Sequence, residues 1–254
     1  MQICILGKDK RNNYLKLFYQ ESISDMEQAE VIITPIPLSK DGIYVTGESL
    51  KWKDFISYVR LKKKILITGG ITEEMKKELE GVCYHNIIEQ EDLTWYNAIP
   101  TVEGAIQIAL EQTEFTLHGA SIGILGFGRI GKLLAHRLSG FGASIYCEAR
   151  KEKDIAFIEA MGYNSIRLEA LDYFLPNMDI IFNTIPYLIL DGEKLKKVSK
   201  DCLIIDLASR PGGVDFKEAE RLERKVLWEL GLPARVAPKT AALYLKEAID
   251  KIIC

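Results

Sequence analysis

The sequence predicts an α/β protein of two domains, both built on parallel sheets. From about Leu117 to Gly231, short apolar runs alternate with amphipathic stretches of helical length. One apolar run, Ile122-Gly123-Ile124-Leu125, ends in a glycine-rich turn, Gly126-Phe127-Gly128-Arg129-Ile130-Gly131, which opens the next amphipathic stretch. The 254 residues, 48% hydrophobic and 27% charged, suffice for two cores of ordinary composition.

In chain order, Ile3–Leu6, Val31–Ile33 and Ile65–Ile67 have the length of buried parallel strands. Gly7-Lys8-Asp9 and Gly69-Gly70 supply turn chemistry at two of their carboxyl ends. Loops there are the natural second wall of a ligand cleft in an open α/β sheet. Asn97–Thr113 predicts a helix with Pro100 in its first turn, bridging the domains. Strands are expected at Ser121–Leu125, Ser144–Ala149, Ser165–Leu168, Asp179–Asn183, Leu203–Asp206 and Val226–Glu229. Helices are expected at Ile130–Ser139, Glu152–Met161, Leu171–Leu175, Gly192–Val198 and Phe216–Arg224. Six strands with intervening helices fit a complete Rossmann-type, doubly wound parallel sheet at 117–238. Residues 1–96 read as a smaller, flavodoxin-like α/β domain, and 97–116 as the interdomain helix. Lys239–Ile253 places Ala242, Leu245, Ile249 and Ile252 at helical spacing, and by analogy 239–254 returns to the first domain.

Composition excludes several classes. With 33 basic and 36 acidic residues the net charge is −3, which gives no general attraction to nucleic acid or anionic membranes. The cysteines Cys4, Cys83, Cys147, Cys202 and Cys254 lack CxxC spacing, so neither a disulfide framework nor a metal site is expected. Cys4, Cys147 and Cys202 fall in strand-like runs, as small buried hydrophobes do. The first residues enter a strand pattern directly, and no segment has the length of a membrane span; a cytoplasmic protein is expected.

The glycine turn has the context that makes its pattern informative, a strand before and a helix after. Gly126 permits the tight turn, Gly128 lets backbone approach a pyrophosphate, and Gly131 allows close helix–strand packing. The amides at the helix start then face the anion. After the second strand, Ala149 falls where an NAD-binding protein places its ribose acid, and Arg150 and Lys151 follow. A small neutral residue before two cations suits the 2′-phosphate of NADP. The competing reading makes Glu148 the ribose ligand and Arg150 a solvated residue. Asn183-Thr184-Ile185-Pro186 and Asp206-Leu207-Ala208 stand at the carboxyl ends of later strands, next to the nicotinamide side.

The run Asp206-Leu207-Ala208-Ser209-Arg210-Pro211-Gly212-Gly213-Val214-Asp215 resembles the signature of the D-2-hydroxyacid dehydrogenases. In that family the arginine holds the substrate carboxylate, and Arg210 takes its place. The family's proline–histidine pair is matched by Pro238-Lys239, so the histidine acid–base is replaced by a lysine. An unperturbed lysine is a poor base at neutral pH, but its ammonium holds a second carboxylate well. Arg210 and Lys239 together suggest a dianionic substrate.

Three runs, Trp95–Gly104, Asp206–Asp215 and Gly231–Ala241, narrow the resemblance to the A subunits of dipicolinate synthase, from about Asn86 onward. The amino-terminal part is similar in outline but shorter, lacking a strand–helix segment after Tyr19. Where the family has Gly-Gly-Asp-x-Arg, this chain has Gly7-Lys8-Asp9-Lys10-Arg11. The resemblance implies oxidation of dihydrodipicolinate, or its hydroxytetrahydro precursor, to dipicolinate. NADP⁺ accepts the hydride, and the flavoprotein-like B subunits of dipicolinate synthase are the required partner, in the mother-cell cytoplasm of a sporulating bacterium. It places Asp9, Arg11, Asn97, Thr101, Arg210, Gly212, Gly213, Lys239 and Thr240 around the substrate in an oligomeric assembly. Glu103 or Lys239 is the expected base, although Glu103 also reads as an acid at a helix N-terminus. His85 is a weaker alternative, and His118 and His136 read as surface or packing residues. The alternatives are a dehydrogenase of the D-2-hydroxyacid type and a non-catalytic, NADP-binding scaffold.

Overall fold

The computed structural model describes residues 1–23 and 25–253; Ser24 and Cys254 lie outside the described residues. It divides into two units, Met1–Pro100 with Pro233–Cys254, and Thr101–Leu232.

The first unit holds β1 (Ile3–Ile5), α1 (Lys10–Phe18), β2 (Val31–Ile33), α2 (Trp52–Leu61), β3 (Ile65–Thr68), α3 (Glu73–Glu78) and β4 (Tyr84–Asn86). All four strands are parallel, in the order β1-β2-β3-β4. A flavodoxin-like order is 2-1-3-4-5. Here the outer strand is represented by a single parallel bridge, Cys4 to Ile23, at the place where the sequence is short. β1 and β2 are apolar throughout, and β3 up to Thr68, because both of their faces are covered. Ile3, Ile5, Val31, Ile33 and Ile67 pack with Leu15 of α1 on one face. Cys4, Ile32 and Leu66 pack with Phe55, Ile56 and Val59 of α2 on the other.

A short 3₁₀ turn at Ile87–Glu89 leads into α4 (Glu91–Gln112), a helix of 22 residues. It starts six residues earlier than its sequence suggests, with Glu91 and Asp92 in the first turn, where the helix dipole favours acids. Pro100 therefore lies inside the helix rather than in its first turn. The last helix of the chain, α11 (Pro238–Ile253), returns to this unit through its apolar stripe. Ala242, Leu245, Ala248 and Ile249 join the core formed with α1, and the Tyr19 hydroxyl donates to Asp250 at 2.6 Å.

The second unit holds β5 (Ser121–Leu125), α5 (Arg129–Ser139), β6 (Ser144–Glu148), α6 (Glu152–Ala160), β7 (Asn164–Ile166), α7 (Leu171–Phe174) and β8 (Ile180–Asn183). It continues with α8 (Gly192–Lys197), β9 (Leu203–Asp206), α9 (Phe216–Arg221) and β10 (Lys225–Trp228), and α10 (Leu232–Val236) follows. The six-stranded sheet is parallel, in the order β10-β9-β8-β5-β6-β7. Read from β7 this is the doubly wound 3-2-1-4-5-6 order, whose direction reverses between β5 and β8. Ligands sit beyond the carboxyl ends of the strands at such a point, where the glycine turn lies. Two strands, β5 and β9, fall where expected, and the other boundaries differ by at most three residues. A 3₁₀ turn at Leu168–Ala170 takes over the end of the third strand, and α9 stops at Arg221.

No helix among the described residues is long and apolar enough to cross a membrane. Cys4, Cys147 and Cys202 are buried and Cys83 is exposed. Burial pushes the Cys147 and Cys202 thiols up to about 12.

Candidate functional site

β5 leaves the sheet into Gly126, whose φ of +89° lies in the region that favours glycine. A Cβ there would stand 2.6 Å from Thr184 Oγ1 and 2.8 Å from Ile185 Cγ1. At Gly131 it would meet the Gly126 carbonyl oxygen at 2.1 Å. These two glycines are fixed by packing, whereas Gly128 faces open space, with nothing within 4 Å of an added Cβ. Gly128 is also the N-cap of α5 and offers no side-chain hydrogen bond. The helix thus presents uncapped amides, a ready site for an anion. Arg129 is exposed beside them, and Ile130 is half-buried. Phe127 is buried, its ring 5.9 Å from that of Phe157, so only its backbone can face a ligand. The Thr184 hydroxyl steadies the turn from β8, donating to the Leu125 carbonyl at 3.0 Å.

At the end of β6, Glu148 points inward. It is 2% exposed and its Oε2 accepts the Gly126 amide at 3.1 Å. Burial pushes its carboxyl up, against the pull of that hydrogen bond and of Arg150. Ala149 is buried and its amide donates to Ile166 at 3.1 Å. Arg150 and Lys151 are exposed, with the Arg150 guanidinium 5.9 Å from the centre of the Tyr187 ring.

Asn183 and Asp206 end adjacent strands, and both are fully buried. Asn183 Nδ2 donates to Asp206 Oδ1 at 2.8 Å and to the Ile185 carbonyl at 3.1 Å. Asp206 also accepts the Ala208 amide at 3.0 Å and the Gly213 amide at 2.8 Å. The two side chains are scaffolding: they tie together the loops after β8 and β9 rather than face a ligand. Gly213 is part of this knot, since a Cβ on it would lie 2.2 Å from Asn183 Nδ2. Leu207 and Ala208 are buried, and Ile185 and Pro186 lie further out. Arg210 is exposed on the loop after β9, its guanidinium 5.7 Å from the centre of the Trp228 ring. Trp228 is fixed in turn by its indole N–H to the Ala208 carbonyl at 2.9 Å and by stacking on Phe216 at 5.0 Å. Gly212, at φ +87°, closes the turn around Arg210, its amide donating to the Ser209 carbonyl at 2.9 Å.

Residues 101–220 match the D-isomer specific 2-hydroxyacid dehydrogenase NAD binding domain. The dipicolinate synthase A subunit of Bacillus subtilis (strain 168) is 41% identical over 235 residues, 89% of this chain and 78% of that protein. This chain belongs to the family of dipicolinate synthase A subunits. Two crystal structures agree. The dipicolinate synthase A subunit from Bacillus halodurans gives a TM-score of 0.90 at 26% identity, over 100% of this chain and 97% of that one. Its counterpart from Bacillus subtilis gives 0.86 at 29% identity, over 100% and 95%. Membership places the chain among the oxidoreductases with a nicotinamide-dinucleotide domain, and the uncapped, open α5 turn fits a pyrophosphate.

The other residues expected at the site are each placed within their own unit. Glu103 is the thirteenth residue of α4, not an N-terminal acid, and pairs with Arg137 at 3.5 Å. Arg137 lies eight residues beyond Arg129 on α5, about 12 Å from the glycine turn at 1.5 Å per residue. Glu103 lines a separate groove of about 600 Å³ with Leu110, Arg137 and Phe141. It is not placed to act as a base at the carboxyl edge of the sheet. Asp9 caps α1, accepting the Asn12 amide at 2.7 Å. Arg11 is 6% exposed and donates to the Ile36 carbonyl at 2.9 Å, so its guanidinium is turned into the first unit. Asn97 and Thr101 lie on either side of Pro100 within α4, half-buried. Lys239 and Thr240 are exposed in the first turn of α11. His85 is exposed on β4 of the first unit. His118, before β5, and His136, in the last turn of α5, are exposed as well.

Sequence reasoning missed the inward turn of Glu148 and the aromatic supports Trp228 and Tyr187. An acid closing a strand that must be buried was the available signal for Glu148.

Proposed function

We propose that this chain is the NADP-dependent component of a dipicolinate synthase. It oxidises dihydrodipicolinate, or its hydroxytetrahydro precursor, to dipicolinate, together with the enzyme's flavoprotein-like second component in the mother-cell cytoplasm of a sporulating bacterium. The observation that carries the reading is the uncapped start of α5 at Gly128, in a chain of this family.

When bound, NADP⁺ would supply the hydride acceptor; dihydrodipicolinate loses one hydride to it and one proton to solvent as the ring becomes aromatic, and the hydroxytetrahydro precursor loses one water as well. The protein's own work is orientation and exclusion of water. The α5 amides hold the pyrophosphate, and Arg150, outermost after β6 and backed by Tyr187, grips the 2′-phosphate. A ribose ligand role for Glu148 is disfavoured, because its carboxylate is already turned to Gly126. Arg210, held against Trp228, receives one substrate carboxylate in bidentate fashion. Lys239 receives the other. Asn183 and Asp206 keep the loops around Arg210 in register.

The test is turnover of freshly generated dihydrodipicolinate, followed by NADPH absorbance, with and without the second component. Titrations of NADPH and NADH should show the former tighter by about tenfold or more, an advantage that Arg150→Ala removes. Arg210→Ala should abolish turnover while leaving NADPH affinity unchanged. Full activity of that variant in the complex contradicts the assignment. NADPH binding without turnover under any condition favours a scaffold role instead.

A further inference from the structure

Glu148 is 2% exposed and closes the strand beside the glycine turn. Its Oε2 accepts the Gly126 amide at 3.1 Å, while Oε1 is buried without a hydrogen-bond partner. A carboxylate with one bare, dry oxygen is an expensive group to keep ionised. The charged groups acting on it are Arg150, directly after β6, and Glu169, in the 3₁₀ turn after β7. Arg150 favours the ionised form and Glu169 opposes it. Burial is the largest influence and raises the carboxyl above the usual range.

We propose that Glu148 is a positioning residue of the dinucleotide turn, shaping it through the Gly126 amide and taking up a proton when a pyrophosphate settles on the start of α5. This rests on the dinucleotide reading of that turn. In the free protein the Glu148 carboxylate holds the Gly126 N–H through Oε2. A pyrophosphate arriving two residues further on puts like charges beside a buried carboxylate, which favours the neutral form. The proton comes from solvent and settles on Oε1. Oε2 remains an acceptor for the Gly126 amide, so the turn keeps its shape while its floor loses its charge. Arg129 and Lys132 are the cations at the start of α5. Because the ligand prefers the protonated state, affinity falls as pH rises through the range in which Glu148 ionises in the free protein. The limiting slope is about one decade per pH unit.

The probe is ADP-ribose, which carries the pyrophosphate but no titrating 2′-phosphate. Calorimetry in two buffers of different ionisation enthalpy, repeated over a series of pH values, counts the protons bound with it, and up to about one is expected per complex. Glu148→Gln keeps an oxygen for the Gly126 amide but cannot titrate. Its proton uptake should vanish and its affinity should become flat with pH, with a melting temperature near that of the wild type. Glu148→Ala removes the acceptor as well, and binding should weaken at every pH. Carboxyl carbon resonances supply a readout apart from affinity: the Glu148 midpoint should move further up when ADP-ribose is added. Binding with no proton uptake in the wild type, or uptake that persists in Glu148→Gln, overturns the proposal alone. Failure of ADP-ribose to bind at any pH overturns the dinucleotide reading, and this proposal with it.

Discussion

β1 and β5 each run into a glycine with positive φ, +95° at Gly7 and +89° at Gly126, and each is followed by a helix. At Gly7 the polar groups are already spoken for. The Gly7 amide donates to Glu48 at 2.9 Å, Lys16 donates to the Gly7 carbonyl at 2.9 Å, and Asp9 caps α1. At Gly126 the carboxylate of Glu148 takes only the first amide, and α5 starts at an uncapped glycine with empty space above it. The two units thus use the same strand–glycine–helix device to different ends. Where the chain's own carboxylates fill the helix start, the turn is structural; where they leave it bare, the turn is a place for a ligand's anion.

The comparison is tested most severely by a methyl group on each turn. Gly131→Ala forces its Cβ against the Gly126 carbonyl oxygen, and should raise the NADPH dissociation constant by about 100-fold or more. Gly7→Ala meets Asn12 Nδ2 at 2.0 Å. It should destabilise the first unit by about 1–3 kcal/mol and leave NADPH affinity within about twofold. Equal effects on NADPH would erase the distinction between the turns. Asp206→Ala leaves three buried donors without their acceptor, and chemical denaturation should report a loss of about 3 kcal/mol. Asp9→Ala should cost about 1 kcal/mol as a lost N-cap, with no change in NADPH titration. The smallest effect is a null one: with their pKa values raised to about 12, Cys147 and Cys202 should stay unlabelled by a thiol reagent in the folded protein.

Most strands of the second unit were legible because they carry a short apolar run beside an amphipathic stretch, as at Leu203–Asp206 before Phe216–Arg221. β4 was not, since Tyr84-His85-Asn86 is an edge strand with no apolar run to betray it. α1 was equally silent, with Arg11 and Asn12 among its buried residues. Pro100 misled because proline marks a first turn more often than an interior, whereas the acids Glu91 and Asp92, about two turns earlier, start α4. At the site, the glycine spacing named its own turn, but the knot between Asn183 and Asp206 joins side chains 23 residues apart. Periodicity carries no information about such a pair. The partners of Glu103 and Arg11, Arg137 and the Ile36 carbonyl, were hidden for the same reason: a charged residue near a recognisable motif declares its chemistry, not the partner that holds it.

Gly128→Asp bears most directly on the central claim, that bare amides at the start of α5 hold the dinucleotide's pyrophosphate. Gly128 has an extended backbone and room for a side chain, so the variant should fold with an unchanged or slightly raised melting temperature. It would give α5 the internal carboxylate cap that α1 already has. Calorimetric titration should then show NADPH bound about 100-fold more weakly than by the wild type, or not at all. A folded Gly128→Asp protein that binds NADPH as tightly as the wild type would contradict the account.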